Sequence, residues 1–445
     1  MAASILVGTA TVVVRMFEVR ALANESTAKK TTLPNGLIVV SEAMPHIRTA
    51  AVGIWVKSGS RVEPAEVNGI SHFIEHMVFK GTARRSAEQV AQEADALGGH
   101  LDAFTAKELV CFNMKVLDLH LAEAFDILTD LVTTPVFRDA DIEKERAVVT
   151  EEIKMEQDNP EYLVHELFSQ NFWQGHAIGR PILGTVKSLG GFNHDVVASF
   201  HQRWYAPKQM VVSGSGHLEH EQLVELVTAQ LGKLQPQADA SLDSVPQARP
   251  RLTTRSKKEL EQVHLCVGVP GCSLTDERRY AMALLANILG GGMSSRLFQN
   301  IREREGLAYA VFAELQAYRD TGLLTVYAGT ARETARQALR LILEELRRLK
   351  QEPVAPDELR RAQDNLKTTL MLSLESTTAR MSNLARMEIY FGRFFTPDEV
   401  LASIDAVTAE QIQTAAQEFF QPELLGATVL GHLDGLEFTP DALAL

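Results

Sequence analysis

An α+β fold of two homologous domains is what this 445-residue sequence predicts. Three observations lead there. The chain is too long for one ordinary hydrophobic core, so at least two domains are expected. Strand-like and helix-like segments recur in the same order at a period of roughly half the chain, as an internal duplication requires. Each half closes on a similar strand ending in Gly-His-Leu, Met210 to Leu218 and Ala427 to Leu433.

The repeat can be followed element by element. Val52, Ile54 and Val56 alternate with other residues near the front of the first half, as Val263, Leu265, Val267 and Val269 do in the second. That period of two marks strands. A helix follows each, Gly69 to Phe79 and Arg279 to Leu289, and then a return to strands containing Val110 to Val116 and Leu323 to Ala328. Amphipathic helices come next: Leu121 to Val132 is matched by Glu333 to Leu349, and Asp139 to Gln157 by Pro356 to Leu374. Prolines 236, 246 and 250 among polar residues and alanines give 233–258 a linker composition. The expected organisation is an N-terminal extension at 1–29, a first domain at 30–232, a linker at 233–258 and a second domain at 259–445. The extension is expected to be disordered. Ile5 to Val14 is mostly apolar and Ala21-Leu22-Ala23 looks like a cleavage site, but Arg15, Glu18 and Arg20 interrupt the path between them.

Composition narrows the function. Hydrophobic residues make up 45% and charged residues 23%, an ordinary globular balance. A net charge of -13 argues against general nucleic-acid binding, which needs a basic face, and suits peptides carrying positive charge. No apolar run is long enough to span a membrane. The three cysteines, Cys111, Cys266 and Cys272, fit neither a disulfide framework nor a zinc-finger spacing, so a reducing compartment is expected.

One helix carries chemistry. Ile70, Phe73, Ile74, Met77 and Val78 form a core-facing stripe, and His72, Glu75 and His76 share another face. Side chains four apart on a helix are neighbours, which suits two imidazoles on one tetrahedral zinc ion. The pattern H-x-x-E-H is the inverted zinc-protease signature. A zinc ion there acidifies water towards neutrality, and a nearby carboxylate can take the proton. Catalytic zinc needs a third protein ligand. In Asp139 to Gln157, the stripe Ile142, Val149 and Ile153 is buried; Glu145 and Glu152 lie seven apart along its edge, while Glu143 and Glu151 point to solvent. Glu145 or Glu152 is therefore the expected ligand, and periodicity does not choose between them.

From about Lys30 to Leu436 the sequence resembles the M16 (pitrilysin, or inverzincin) zinc metallopeptidases, in particular the short processing-peptidase β-subunit-like members of bacterial type. The resemblance rests on LPNGLIVV, NGISHFIEHMVFKGT, GGHLDAFTAKE, ERAVVTEEIKM and GGGMSSRLFQNIREREGLAY. It implies one Zn2+ per chain held by His72, His76 and Glu152, with Glu75 as general base and Glu145 supporting the site. It implies that Arg302 and Tyr309 of a metal-free second domain bind substrate backbone near the zinc. Substrate is expected to add a strand along Leu101, Asp102, Ala103, Phe104 and Thr105; Asp102 departs from the asparagine frequent there. The two domains would form half of a clam-shell chamber, completed by a homodimer or a heterodimer with a related subunit. The implied activity is endopeptidase cleavage of unfolded peptides or presequence-like segments, in the cytoplasm of a bacterium. The competing expectation is a non-catalytic core or partner subunit, although such relatives typically lose part of the motif. Of the other histidines, those at 100, 165, 176, 217 and 432 lack partners at ligand spacing and are expected to pack or to face solvent.

Overall fold

The computed structural model describes residues 27–237 and 243–443. The expected disordered extension lies almost entirely outside the described residues. Among the described residues, eleven strands form two sheets. The first contains β1 (Ala28–Thr32), β2 (Ile38–Ala43), β3 (Thr49–Val56), β4 (His100–Thr105), β5 (Val110–Leu117) and β6 (Met210–Gly216), in the order β1-β2-β6-β3-β5-β4. The second contains β7 (Leu252–Ser256), β8 (Gln262–Gly271), β9 (Ala308–Ala317), β10 (Gly322–Ala331) and β11 (Gly426–Gly431), in the order β7-β11-β8-β10-β9.

Without β1, the first order matches the second strand for strand. Both sheets are antiparallel except for one parallel pair, and it falls in the same place: β2 with β6, and β7 with β11. The duplication read from element order is therefore a duplication of topology. The Gly-His-Leu endings have a shared cause. A β-carbon on Gly216 would lie 2.3 Å from the Thr49 carbonyl oxygen, and one on Gly431 would lie 2.8 Å from that of Gln262. Thr49 and Gln262 open the equivalent strands β3 and β8, so the backbone passes too close for any other residue.

One strand lies where a linker is expected. Leu252–Ser256 is β7, paired in register from Leu252 opposite Ala427. Its Leu-Thr-Thr core suits a sheet edge better than a free linker.

Each half packs its own helices on one face of its sheet, around Val52, Ile54, Phe73, Phe112 and Phe125 in the first core and Val267, Leu285, Val326 and Ile342 in the second. The opposite faces are covered by exchange. Helix Pro160–Phe172 of the first half lays Val164, Phe168 and Phe172 on Cys266, Leu323, Tyr327 and Leu430 of the second sheet. Helix Thr377–Phe391 of the second half lays Met381, Leu384 and Ala385 on Ala51, Trp55, Cys111 and Val211 of the first. The central strands are thus buried on both faces, so in β3 and β8 the residues between the alternating apolar positions are buried as well. All three cysteines are free and buried.

A buried ionic cluster joins the halves. The Arg61 side chain, with no exposed surface, reaches Glu108 at 2.8 Å, Asp320 at 2.7 Å and Asp243 at 3.1 Å. Arg319 also pairs with Asp243, and His176 lies 2.8 Å from the same carboxylate.

Candidate metal centre

Helix Ile70–Val78 buries Ile70, Phe73, Ile74, Met77 and Val78 and leaves His72, Glu75 and His76 partly open, as its periodicity requires. It crosses the long helix Asp139–Asp158, whose buried stripe is Ile142, Glu145, Val149 and Ile153. One crossing therefore brings two imidazoles from one helix against carboxylates from the other.

The structure separates the two candidate glutamates. One ligand atom each from His72, His76 and Glu152 lie within 4.8 Å of one another, the one such group of three found among the described residues. Glu152 Oε2 is 3.5 Å from His76 Nε2 and 3.9 Å from His72 Nε2. Donors on a tetrahedral zinc are separated by about 3.3–3.5 Å, given ligand bonds of about 2.0–2.2 Å. Glu145 turns elsewhere. It accepts from His76 Nδ1 at 3.0 Å and pairs with Lys80 Nζ at 2.7 Å. Periodicity could not divide these roles, because both carboxylates share a helix face. Glu143 and Glu151 pair with Arg146 and Lys154 on the exposed side.

The electrostatics fit a cation. Burial, and then the neighbouring His76, lowers the pKa of His72 to about 4, so its imidazole is neutral and ready to ligate at neutral pH. Burial works against charge on His76 too, but the Glu145 hydrogen bond and the charges of Glu152, Glu145 and Glu75 prevail and raise its pKa. Metal must therefore compete with a proton there. The carboxyl of Glu145 is itself held low: burial opposes ionisation, and the bonds to His76 and Lys80 outweigh it. An ionised Glu145 fixes the His76 tautomer, leaving Nε2 free as a donor. Two nitrogens and one carboxylate oxygen, with one ring oriented from behind, are a donor set that zinc accepts.

Glu75 stands beside this group. Thr105 Oγ1 donates to its Oε2 at 2.5 Å, tying it to the end of β4. Burial is the main cause of its raised pKa, with the Asp102 and Glu152 charges adding to it. A carboxylate pushed upwards is better placed to accept a proton near neutral pH.

The other site residues are distributed differently. Leu101, Asp102, Ala103, Phe104 and Thr105 lie on β4, one edge of the first sheet, with one side unpaired among the described residues. Asp102 is exposed and Phe104 packs edge-on against Trp55 at 5.6 Å. Arg302 sits in the π-helical segment Phe298–Arg304 and Tyr309 on β9, with the guanidinium 4.7 Å from the Tyr309 ring centroid. Tyr309 is 78% exposed. Arg302 and Tyr309 are thus brought together, but among the described residues no hydrogen bond, ion pair or ring contact joins them to the His-Glu group. Lys80 went unread in the sequence. Its position four after His76, itself four after His72, was the available signal. His165 stacks on Phe312 and Tyr327, while His217 and His432 pair with Asp118 and Asp434.

Fold and donor set together define a class: duplicated α+β proteins with a His-His-Glu centre in the first half. Residues 38–186 match the family described as Insulinase (Peptidase family M16), and residues 191–366 match the Peptidase M16 inactive domain. An uncharacterized zinc protease of Bacillus subtilis, YmxG, is 40% identical over 88% of this chain and 95% of its own length. An uncharacterized zinc protease of Rickettsia felis is 35% identical over 90% of this chain and 97% of its own. A crystal structure of a protease from Helicobacter pylori superposes with a TM-score of 0.85 at 20% identity, covering 91% of this chain and 99% of that one. A chain of the Candida albicans complex III dimer superposes with a TM-score of 0.82 at 20% identity, covering 94% and 100%. The chain belongs to the M16 peptidase family. Its architecture is the family's short two-domain form, half of a clam-shell.

Proposed function

We propose that this chain is a zinc-dependent endopeptidase, with one zinc held by His72, His76 and Glu152. The observation that carries the reading is the convergence of those three donors beside a separate, raised-pKa carboxylate, Glu75. Zinc bound there supplies Lewis acidity towards water and a peptide carbonyl. Glu75 takes the water's proton and passes it to the leaving amine. Glu145 keeps the His76 ring aimed. The open side of β4 accepts an extended peptide as an added strand, with Thr105 linking that edge to Glu75. Arg302 and Tyr309 hold the substrate backbone from the second half.

Unfolded peptides and presequence-like segments are the substrates that edge addition favours. A dimer, of two copies or with a related subunit, completes the chamber. Three buried free thiols suit a reducing, cytoplasmic setting. Among the described residues no helix is long and apolar enough to cross a membrane. The fold shared with a complex III chain keeps a non-catalytic subunit in view, but the complete donor set argues for activity.

Incubation of the purified chain with a mixed peptide library, with and without a chelator, tests the reading. Mass spectrometry should find internal cleavages that chelation abolishes and zinc restores. Cleavage indifferent to chelator, or no cleavage by the zinc-loaded chain, would refute it.

A further inference from the structure

The two ligand histidines are oriented by different means. His76 has Glu145 behind it, whereas the buried Nδ1 of His72 has no hydrogen-bond partner among the described residues. Ligating histidines normally have their second nitrogen held. The aim of His72 therefore depends on where its backbone is placed, which is set by the first turn of helix Ile70–Val78.

That turn is held from outside the helix. Its N-cap, Gly69, has no side chain to offer, and its φ of 94° requires glycine. The missing cap is supplied by Glu63, nine positions before His72. Its carboxylate accepts from Gly69 N at 2.6 Å, from Ser71 N at 2.8 Å and from Asn68 Nδ2 at 2.8 Å. Glu63 is 3% exposed, and burial raises its pKa against these bonds. The first-turn amides of a helix have no partners within it. Here two of them, bracketing Ile70, are bound by one buried group, and the second belongs to the residue immediately before His72. The collar is tight: β-carbons on Gly69 and Gly184 would meet the Leu183 and Asn68 carbonyl oxygens at 2.5 and 2.2 Å. Arg180 Nη1 donates to the Glu63 carbonyl oxygen at 2.8 Å. The equivalent helix of the second half, Arg279–Gly290, lacks this device. Near its start, Asp276 takes the Arg278 amide in an exposed position.

The geometry points to Glu63 as a positioning residue for the metal centre. By fixing the height and rotation of the first helical turn, it aims the His72 imidazole, whose second nitrogen no hydrogen bond holds. Its negative charge, at the positive end of the helix, also favours a cation beside that end. This inference rests on the zinc reading above. Gln cannot replace the carboxylate, since it brings two donors to a place already filled with donors.

The test compares full-length wild type, Glu63→Gln and Glu63→Asp at a temperature where each is folded. Zinc affinity is measured by competition with a chromogenic chelator, and kcat and KM with a fluorogenic peptide. Glu63→Gln should bind zinc about 10–100-fold more weakly. Its kcat at saturating zinc should fall with KM little changed. Glu63→Asp, which keeps the charge at a shorter reach, should recover part of both. A purely structural cap would lower only the melting temperature. Wild-type zinc affinity and kcat in Glu63→Gln would therefore overturn the proposal. If Glu63→Gln shows no cooperative melting, Glu63→Asp decides: a severalfold loss of affinity is expected, and wild-type affinity overturns it. A wild-type chain that binds no zinc would instead break the metal-site reading itself.

Discussion

Helices Ile70–Val78 and Arg279–Gly290 occupy equivalent places on equivalent sheets and do different things. The first presents His72, Glu75 and His76 on its open face. The second buries Ala281, Met282, Leu284, Leu285, Ala286, Ile288, Leu289 and Gly290 and carries no histidine. Each is bridged to the long helix that crosses it. In the first half the bridge is His76 to Glu145; in the second it is Asn287 to Asn365, a neutral amide pair at 2.9 Å. The scaffold tolerates either bridge, so the chemistry is a local substitution on a duplicated frame. The halves are joined elsewhere, by the exchanged helices and the Arg61 cluster.

The largest effect should come from breaking the chemistry without touching the frame. Glu75→Gln should lower peptide hydrolysis by about 10²–10⁴-fold, with metal content and melting temperature close to wild type. Steady-state kinetics beside metal analysis would check this. Breaking the frame should do the reverse. Arg61→Met leaves Glu108, Asp243 and Asp320 without their buried cation and should cost about 3–5 kcal/mol in denaturant unfolding. The pH dependence has a definite sign. Burial raises the carboxyl pKa of Asp320, but the hydrogen bonds and charge of Arg61 outweigh this and hold it below its ordinary value. Its contribution is complete above the unfolded value, about 3.9, and is lost as pH falls through the depressed folded one. Arg61→Met should flatten that acid limb.

Smaller changes sharpen the contrast between the bridges. Glu145→Gln should weaken zinc binding by about 10–100-fold, read by chelator competition, because the His76 tautomer is no longer fixed. Asn365→Ala, at the matching bridge, should leave zinc affinity and turnover unchanged and cost no more than about 1 kcal/mol. Equal effects of the two substitutions on zinc would remove the distinction between the halves.

Much of this was legible in the sequence. Period-two and helical stripes located the central strands and the motif helix, because the spacing of apolar side chains along one element is a local property. Glu143 and Glu151 read correctly as solvent-facing for the same reason. The exchange of Pro160–Phe172 and Thr377–Phe391 was not legible, since an apolar stripe says that a helix is buried but not against which sheet. Leu252–Ser256 was hidden in a proline-rich stretch, because an edge strand needs its partner β11 to be recognised. The separate roles of Glu145 and Glu152 depend on which ring nitrogen each meets, and seven-residue spacing cannot report that. Nothing in the sequence around Arg61 announces its cluster, because Asp243 and Asp320 arrive from far along the chain.

One zinc per chain is expected to bind in the first half, through Glu152, and none in its repeat. Metal analysis of dialysed wild type, Glu152→Gln and Asn365→Ala tests it most directly. One equivalent of zinc in wild type and Asn365→Ala, with near-complete loss in Glu152→Gln, is the predicted result. Retention of a full equivalent by folded Glu152→Gln, or loss from Asn365→Ala, would contradict it.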